Sequence, residues 1–259
     1  MSYVDAHLHL ADPDYSVEVE SVVENAVENG IAHLLANGMD YESSIRTVNL
    51  AKQYSDRVIA AVGVHPWTVT NANEPLDLSV FERLIEENRQ HVRAIGEIGL
   101  DGKYSQDDTK KRRQQEVFQS LLALAEQHRL PVVIHSRLAI DEVFTTLPSF
   151  KLPKILLHWY SGPLEYLNRI KDQGYLISVG PSILYSKHSA EIALNADLST
   201  ILTETDGPVR YYGPFKGKPT RPSFVIDVVR RLAETKNRSA KEVRETIWSN
   251  FRSFLSLAD

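Results

Sequence analysis

Eight short apolar or β-branched runs recur along this chain: Tyr3–His7, Ile31–Asn37, Val58–Val64, Val92–Ile98, Pro131–His135, Lys154–His158, Tyr175–Val179 and Thr200–Glu204. Helical patterns fill the gaps between them. Val19, Val22, Val23, Ala26 and Val27 fall at i, i+3, i+4, i+7 and i+8, and Gly30 supplies a C-terminal stop. Val117, Phe118, Leu121, Leu122 and Ala125 repeat the pattern, as do Phe224, Val225, Val228, Val229 and Leu232. A last helix opens at a capping box, Ser239-Ala-Lys-Glu242, and runs through Val243, Ile247, Phe251 and Phe254. Eight strands alternating with helices over 259 residues predict a (β/α)8 barrel that fills the chain as a single domain, residues 1–259. The rival, a doubly wound open sheet, predicts a Gly-rich phosphate loop after the first strand. That segment reads HLHLADPDYS and holds no glycine.

Catalytic groups of such barrels lie at the C-terminal ends of the strands. Here those ends carry His7 and His9; His65 in GVHPW; Glu97 and Asp101 in GEIGLD; His135 in IHSR; His158 in LHWYSG; and Glu204 and Asp206 in ETDGP. Along a strand, side chains alternate faces, so His7, His9 and Asp5 share one face. A lone HxH pair is more often structural than ligating. Six strand ends closing in His, Glu or Asp shift the balance to a metal site. His33, His91, His128 and His188 follow no such rule and read as structural or surface groups.

The chain has no cysteine, so thiolate sites and disulfides are ruled out and any metal rests on His, Asp and Glu. His7, His9, Glu97, His135, His158 and Asp206 are too many ligands for one catalytic ion that keeps an open position. They suit two divalent ions, Zn, Mg or Mn, that share a bridging carboxylate, an arrangement suited to phosphoryl displacement. The net charge of −5 argues against a broad basic surface for coating nucleic acid. It leaves room for local recognition of a phosphate or a strand end. Lys110 to Arg113 reads as the solvated start of a helix, and Lys216 with Lys218 as a second small basic loop. No stretch has the length of a membrane span, and the N-terminus lacks a signal-peptide pattern. A cytoplasmic enzyme with no membrane partner is the expectation. The sequence sets no oligomeric state, and a monomer is compatible with it.

Taken together, VDAHLHL, GVHPW, AIGEIGLD, PVVIHSR, LLHWYSG and LTETDGP resemble, in order and spacing, the TatD-type metal-dependent hydrolases of the amidohydrolase-like barrels. The resemblance runs nearly end to end. It implies one metal on His7, His9, Glu97 and Asp206, and a second on His135 and His158 with Glu97 bridging. It also implies that His65 helps bind a substrate phosphate. Family members act as deoxyribonucleases, often trimming 3′ ends, and some relatives have ester or deacylase activities. Two features depart from the family pattern. Trp67 stands where many members have a second histidine, and reads either as rim packing or as a base-stacking platform. The loop Tyr211–Pro222 differs from the Asn-rich loop common in the family.

The function expected is hydrolysis of DNA phosphodiesters by a two-metal-activated water, as a 3′–5′ exonuclease on single-stranded ends. Asp206, Glu97 and His65 are the catalytic candidates. His65, Trp67 and Arg137 are the substrate-binding candidates, and Asp101 and Glu204 would orient ligands from behind. The alternative is an amidohydrolase-like enzyme for a small ester, amide or aminoacyl substrate. Two-metal amidohydrolases often bridge their ions with a carboxylated lysine, whereas strand four offers Glu97. A metal-dependent binding module without catalysis leaves Asp206 at strand eight unexplained.

Overall fold

The computed structural model describes residues 2–15, 18–105 and 107–257. Eight parallel strands form one sheet in sequence order: β1 Tyr3–Leu8, β2 Ile31–Asn37, β3 Val58–Val62, β4 Val92–Gly99, β5 Val132–His135, β6 Ile155–Leu157, β7 Leu176–Val179 and β8 Ile201–Thr203. Every predicted strand is present, within a few residues of its predicted ends. The sheet curls into a (β/α)8 barrel whose seam lies between β8 and β1. There the backbone N–H of Asp206 donates to the His7 carbonyl at 2.9 Å and that of His9 to the Gly207 carbonyl at 2.7 Å. Asp5 reinforces the seam by accepting from the Thr205 backbone N–H and hydroxyl. Burial pushes the Asp5 carboxyl up to about 8, against those hydrogen bonds.

The strands read as nearly continuous apolar runs because both faces are covered. All five residues of β3 and all four of β7 are buried. The long helices supply the outer cover through one face each. On α5 (Asp108–His128) the buried set includes Phe118, Leu121, Leu122 and Ala125, as the periodicity predicts. On α1 (Val19–Glu28) Val22, Val23 and Ala26 are buried, but Val27 faces solvent. The predicted stripe was one residue too wide there. The capping box at Ser239 and Glu242 is formed at the start of α10 (Ala240–Leu255). Such a cap contributes about 1 kcal/mol. Lys110, Lys111 and Arg112 are exposed on the first turns of α5, behind an Asp107 cap. Arg113 instead turns back to the Ala72 and Glu74 carbonyls. Among the described residues no helix is long and apolar enough to cross a membrane.

Six non-glycine residues among those described have positive φ. Arg129, Asn237 and Ser256 are left-handed C-caps of α5, α9 (Phe224–Lys236) and α10. Leu138, Trp159 and Asp206, at φ of 54°, 38° and 47°, are not caps; each follows a strand at the C-terminal mouth of the barrel. Backbone strain of this kind costs about 1–3 kcal/mol per residue and gathers where surrounding contacts impose it. At Asp206 the imposing contacts are the two seam hydrogen bonds and the imidazoles its carboxylate faces.

Candidate metal centre at the barrel mouth

All six predicted ligands converge at the C-terminal mouth, where His9, Glu97, His135, His158 and Asp206 line a cavity of about 960 Å³ and His7 is buried beside them. Glu97 sits at the middle, essentially buried, and its two oxygens face different partners. Oε2 lies 3.3 Å from His7 Nε2 and 3.1 Å from His9 Nε2. Oε1 lies 2.7 Å from both His135 Nδ1 and His158 Nε2. Asp206 Oδ1 closes the first group at 3.3 Å from His7 Nε2 and 3.5 Å from His9 Nε2.

Two pairs of imidazole nitrogens approach each other at 3.3 Å, His7 Nε2 with His9 Nε2 and His135 Nδ1 with His158 Nε2. Lone pairs that close repel unless a proton or a cation stands between them. Glu97 Oε2 is buried and accepts no hydrogen bond, although two ring nitrogens lie within 3.3 Å. Nitrogen and carboxylate donors aimed at common points match the ligand chemistry of divalent cations. The residues therefore fit metal: among the described residues His7 with Glu97 and His158, His7 with His9 and Asp206, and His65 with Glu97 and His135 each bring ligand atoms close enough to hold an ion.

Electrostatics agree. Burial opposes charge on Glu97, yet the surrounding imidazoles, His158 foremost, hold its carboxyl well below the usual carboxylate range. Burial likewise opposes charge on Asp206, and hydrogen bonds from His7 and His9 hold it below that range. On His9 burial works against protonation, but Asp206 and Glu97 raise the imidazole to about 10. A ring nitrogen must lose such a proton to ligate a cation, so metal binding at this cluster would release protons.

The groups behind the ligands are formed as well. His135 Nε2 lies 2.7 Å from Asp101 Oδ2, which also accepts from Arg137 Nε at 2.8 Å. Asp101 Oδ1 accepts from the backbone N–H groups of Lys103 and Tyr104. One carboxylate thus orients a candidate ligand and a candidate substrate-binding cation together. Glu204 Oε2 lies 3.6 Å from His158 Nδ1 and accepts from the Ser178 hydroxyl. His9 Nδ1 meets the Asn37 carbonyl at 3.1 Å.

His65 caps α3 (Pro66–Asn71), its Nδ1 accepting from the Trp67 N–H at 2.9 Å. That bond places the ring proton on Nε2, 3.3 Å from Glu97 Oε1. Burial keeps the His65 pKa below its ordinary value, which favours the neutral ring. Arg137 extends over the Tyr104 ring at 4.7 Å, and its Nη2 is buried without a partner. Trp67 is 47% exposed. It lines a neighbouring cavity of about 520 Å³ that shares His9, His65 and Tyr104 with the first. Sequence reasoning did not single out Ser178, Asn37, Trp159 or Arg210. The last two line the central cavity. None of these four carries a residue-type signal strong enough to find it.

The remaining histidines do not line the cavity, although His188 Nε2 meets the carbonyl of Ser161, which does, at 3.0 Å. His33 stacks on Trp248 at 5.6 Å, and His128 Nδ1 meets Arg89 Nη1 at 3.0 Å.

Comparison with known proteins places this geometry in a family. A family model described as TatD related DNase matches residues 4–256. The chain belongs to the TatD family. It is 32% identical over 254 residues to an uncharacterized metal-dependent hydrolase, MJ1582, of Methanocaldococcus jannaschii, covering 98% of this chain and 97% of that one. It is 29% identical over 254 residues to the human deoxyribonuclease TATDN3, covering 95% and 92%. Among solved structures, the TatD homolog YjjV of Escherichia coli superposes with a TM-score of 0.90 at 29% identity, over 99% of this chain and 98% of that one. The chain is a metal-dependent hydrolase of TatD type, built as a TIM barrel.

Proposed function

We propose that this TatD-family chain hydrolyses DNA phosphodiesters at a two-cation centre, as a 3′–5′ exonuclease on single-stranded ends. The observation that carries the two-cation reading is the division of Glu97: one oxygen toward His7 and His9, which Asp206 also faces, the other toward His135 and His158. His7, His9, Glu97 and Asp206 would hold the first cation, and Glu97, His135 and His158 the second. Bound there, the cations would supply Lewis-acid polarisation of the phosphoryl group and activation of a water.

The chain's own residues do the rest. Asp206, held ionised by its imidazole neighbours, accepts the proton of the attacking water. His65 Nε2 and the unpartnered Arg137 Nη2 are hydrogen-bond donors beside the centre, suited to the oxygens of a phosphodiester rather than to a neutral ester. Asp101 keeps Arg137 and His135 in register. Trp67 offers a base a stacking face. DNA as substrate is supported by the family description and by the named activity of human TATDN3.

The test is a substrate panel under Zn, Mg and Mn. It comprises a linear single strand, the same strand circularised, duplex DNA, RNA and a small carboxylic ester. The linear strand should be shortened stepwise from its 3′ end, while the circle survives. Rapid cutting of the circle refutes the exonuclease mode. Hydrolysis of the ester with every nucleic acid intact replaces this reading with the small-substrate one.

A further inference from the structure

The segment Pro208–Pro222 carries Arg210, Lys216, Lys218 and Arg221 and no acidic residue, on a chain whose net charge is −5. It is tied down along its length. The Tyr211 hydroxyl donates to the Thr205 carbonyl at 2.6 Å, and Phe215 stacks on Phe224 with centroids 4.2 Å apart. Further along, the Tyr15 hydroxyl donates to the Thr220 carbonyl at 2.8 Å. With Tyr211, Phe215 and Thr220 turned inward, the intervening Tyr212, Lys216 and Lys218 all face solvent. Tyr212 is 69% exposed and stands almost perpendicular to Tyr185, another exposed ring, at a centroid distance of 6.3 Å.

The segment starts at the metal centre. Pro208, Val209 and Arg210 line the central cavity together with Asp206, and beyond them in the chain Tyr212, Lys216 and Lys218 are exposed. Among the described residues none of Arg210, Lys216 and Lys218 is held in an ion pair. Folding does not ask for three unpaired cations and two exposed phenols in a row. Such a row has the two components of a sequence-tolerant single-strand site, a cationic track for the backbone and aromatic faces for the bases. Asp12 and Asp14, on the loop after β1, line the same cavity and repel a polyanion from that side.

Resting on the nuclease reading above, we infer that Arg210, Tyr212, Tyr185, Lys216 and Lys218 form a track for the single-stranded DNA that extends beyond the nucleotide being cut. The track makes the enzyme favour longer strands over very short ones, and it confines phosphate contacts to a few. Both effects belong to this loop and not to the metal ligands.

The experiment compares binding and hydrolysis of a DNA trinucleotide and a dodecamer by wild type, Tyr212→Ala and the double variant Lys216→Ala/Lys218→Ala. All three side chains are exposed, and thermal melting confirms that each variant is folded. Wild type should favour the dodecamer. Tyr212→Ala should lower that advantage about tenfold, in line with the loss of one stacked base. The double variant should reduce the salt slope of dodecamer binding by about 1.4, two contacts at about 0.7 each. If wild type cleaves DNA while both variants keep the full length advantage and salt slope, the track is wrong and the nuclease reading stands. If wild type neither binds nor cleaves any strand, both fall. A length advantage for RNA and none for DNA overturns the assignment to DNA.

Discussion

Glu97→Ala should strip the chain of both cations and reduce turnover to the uncatalysed background. The reason is positional. Among the described residues, Glu97 is the one carboxylate whose two oxygens reach both imidazole sets, at 3.1–3.3 Å on one side and 2.7 Å on the other. Without it the first set keeps two imidazoles and Asp206, and the second keeps two neutral rings, which leaves neither cation enough negative charge. Substitution on one side should behave differently. His135→Ala or His158→Ala should release the second cation, while His7, His9, Glu97 and Asp206 retain the first. Elemental analysis of the purified, dialysed proteins measures this directly. Glu97→Gln guards against a folding artefact, since the amide fills the same space. Two cations per chain in either Glu97 variant would end the bridging assignment.

Asp206→Asn should lower kcat by about 10²–10⁴-fold, the usual contribution of a positioned general base, with strand binding changed less than about threefold. The amide keeps an oxygen for the cation but accepts no proton at neutral pH. The measurement is kcat alongside the Kd of a non-hydrolysable single-strand analogue. A fall in binding equal to the fall in kcat would make Asp206 a ligand only. Unchanged turnover would remove it from the chemistry altogether.

Much of this centre was legible in the sequence because strand ends have a grammar. A barrel strand buried on both faces has no reason to close in His, Glu or Asp, so Glu97, His135, His158 and Asp206 stood out from the apolar residues before them. The supporting groups lacked that contrast. Ser178, inside the run LISV, looks like any small residue until the β7–β8 pairing brings it beside Glu204. The link from Asp5 to Thr205 joins residues at opposite ends of the chain and exists only once the barrel closes. His65 was identified by type, but the tautomer that makes Nε2 its donor depends on the cap it forms for α3. The loop Pro208–Pro222 has no periodicity to read. Its order comes from a ring stack onto α9 that no local pattern announces.

The seam between β8 and β1 bears on how the enzyme is made. His7 and His9 leave the ribosome first among the candidate ligands and Asp206 last, 199 positions after His7. At about 5–20 residues per second the wait is about 10–40 s. Through that interval Glu97 is the carboxylate those imidazoles can face, and nascent chain that ends before β8 lacks Asp206 and so has an incomplete first set. The same hydrogen bonds that close the cylinder, Asp206 to His7 and His9 to Gly207, bring the outer ligands together. Assembly of the first set with Asp206 therefore waits for closure of the barrel.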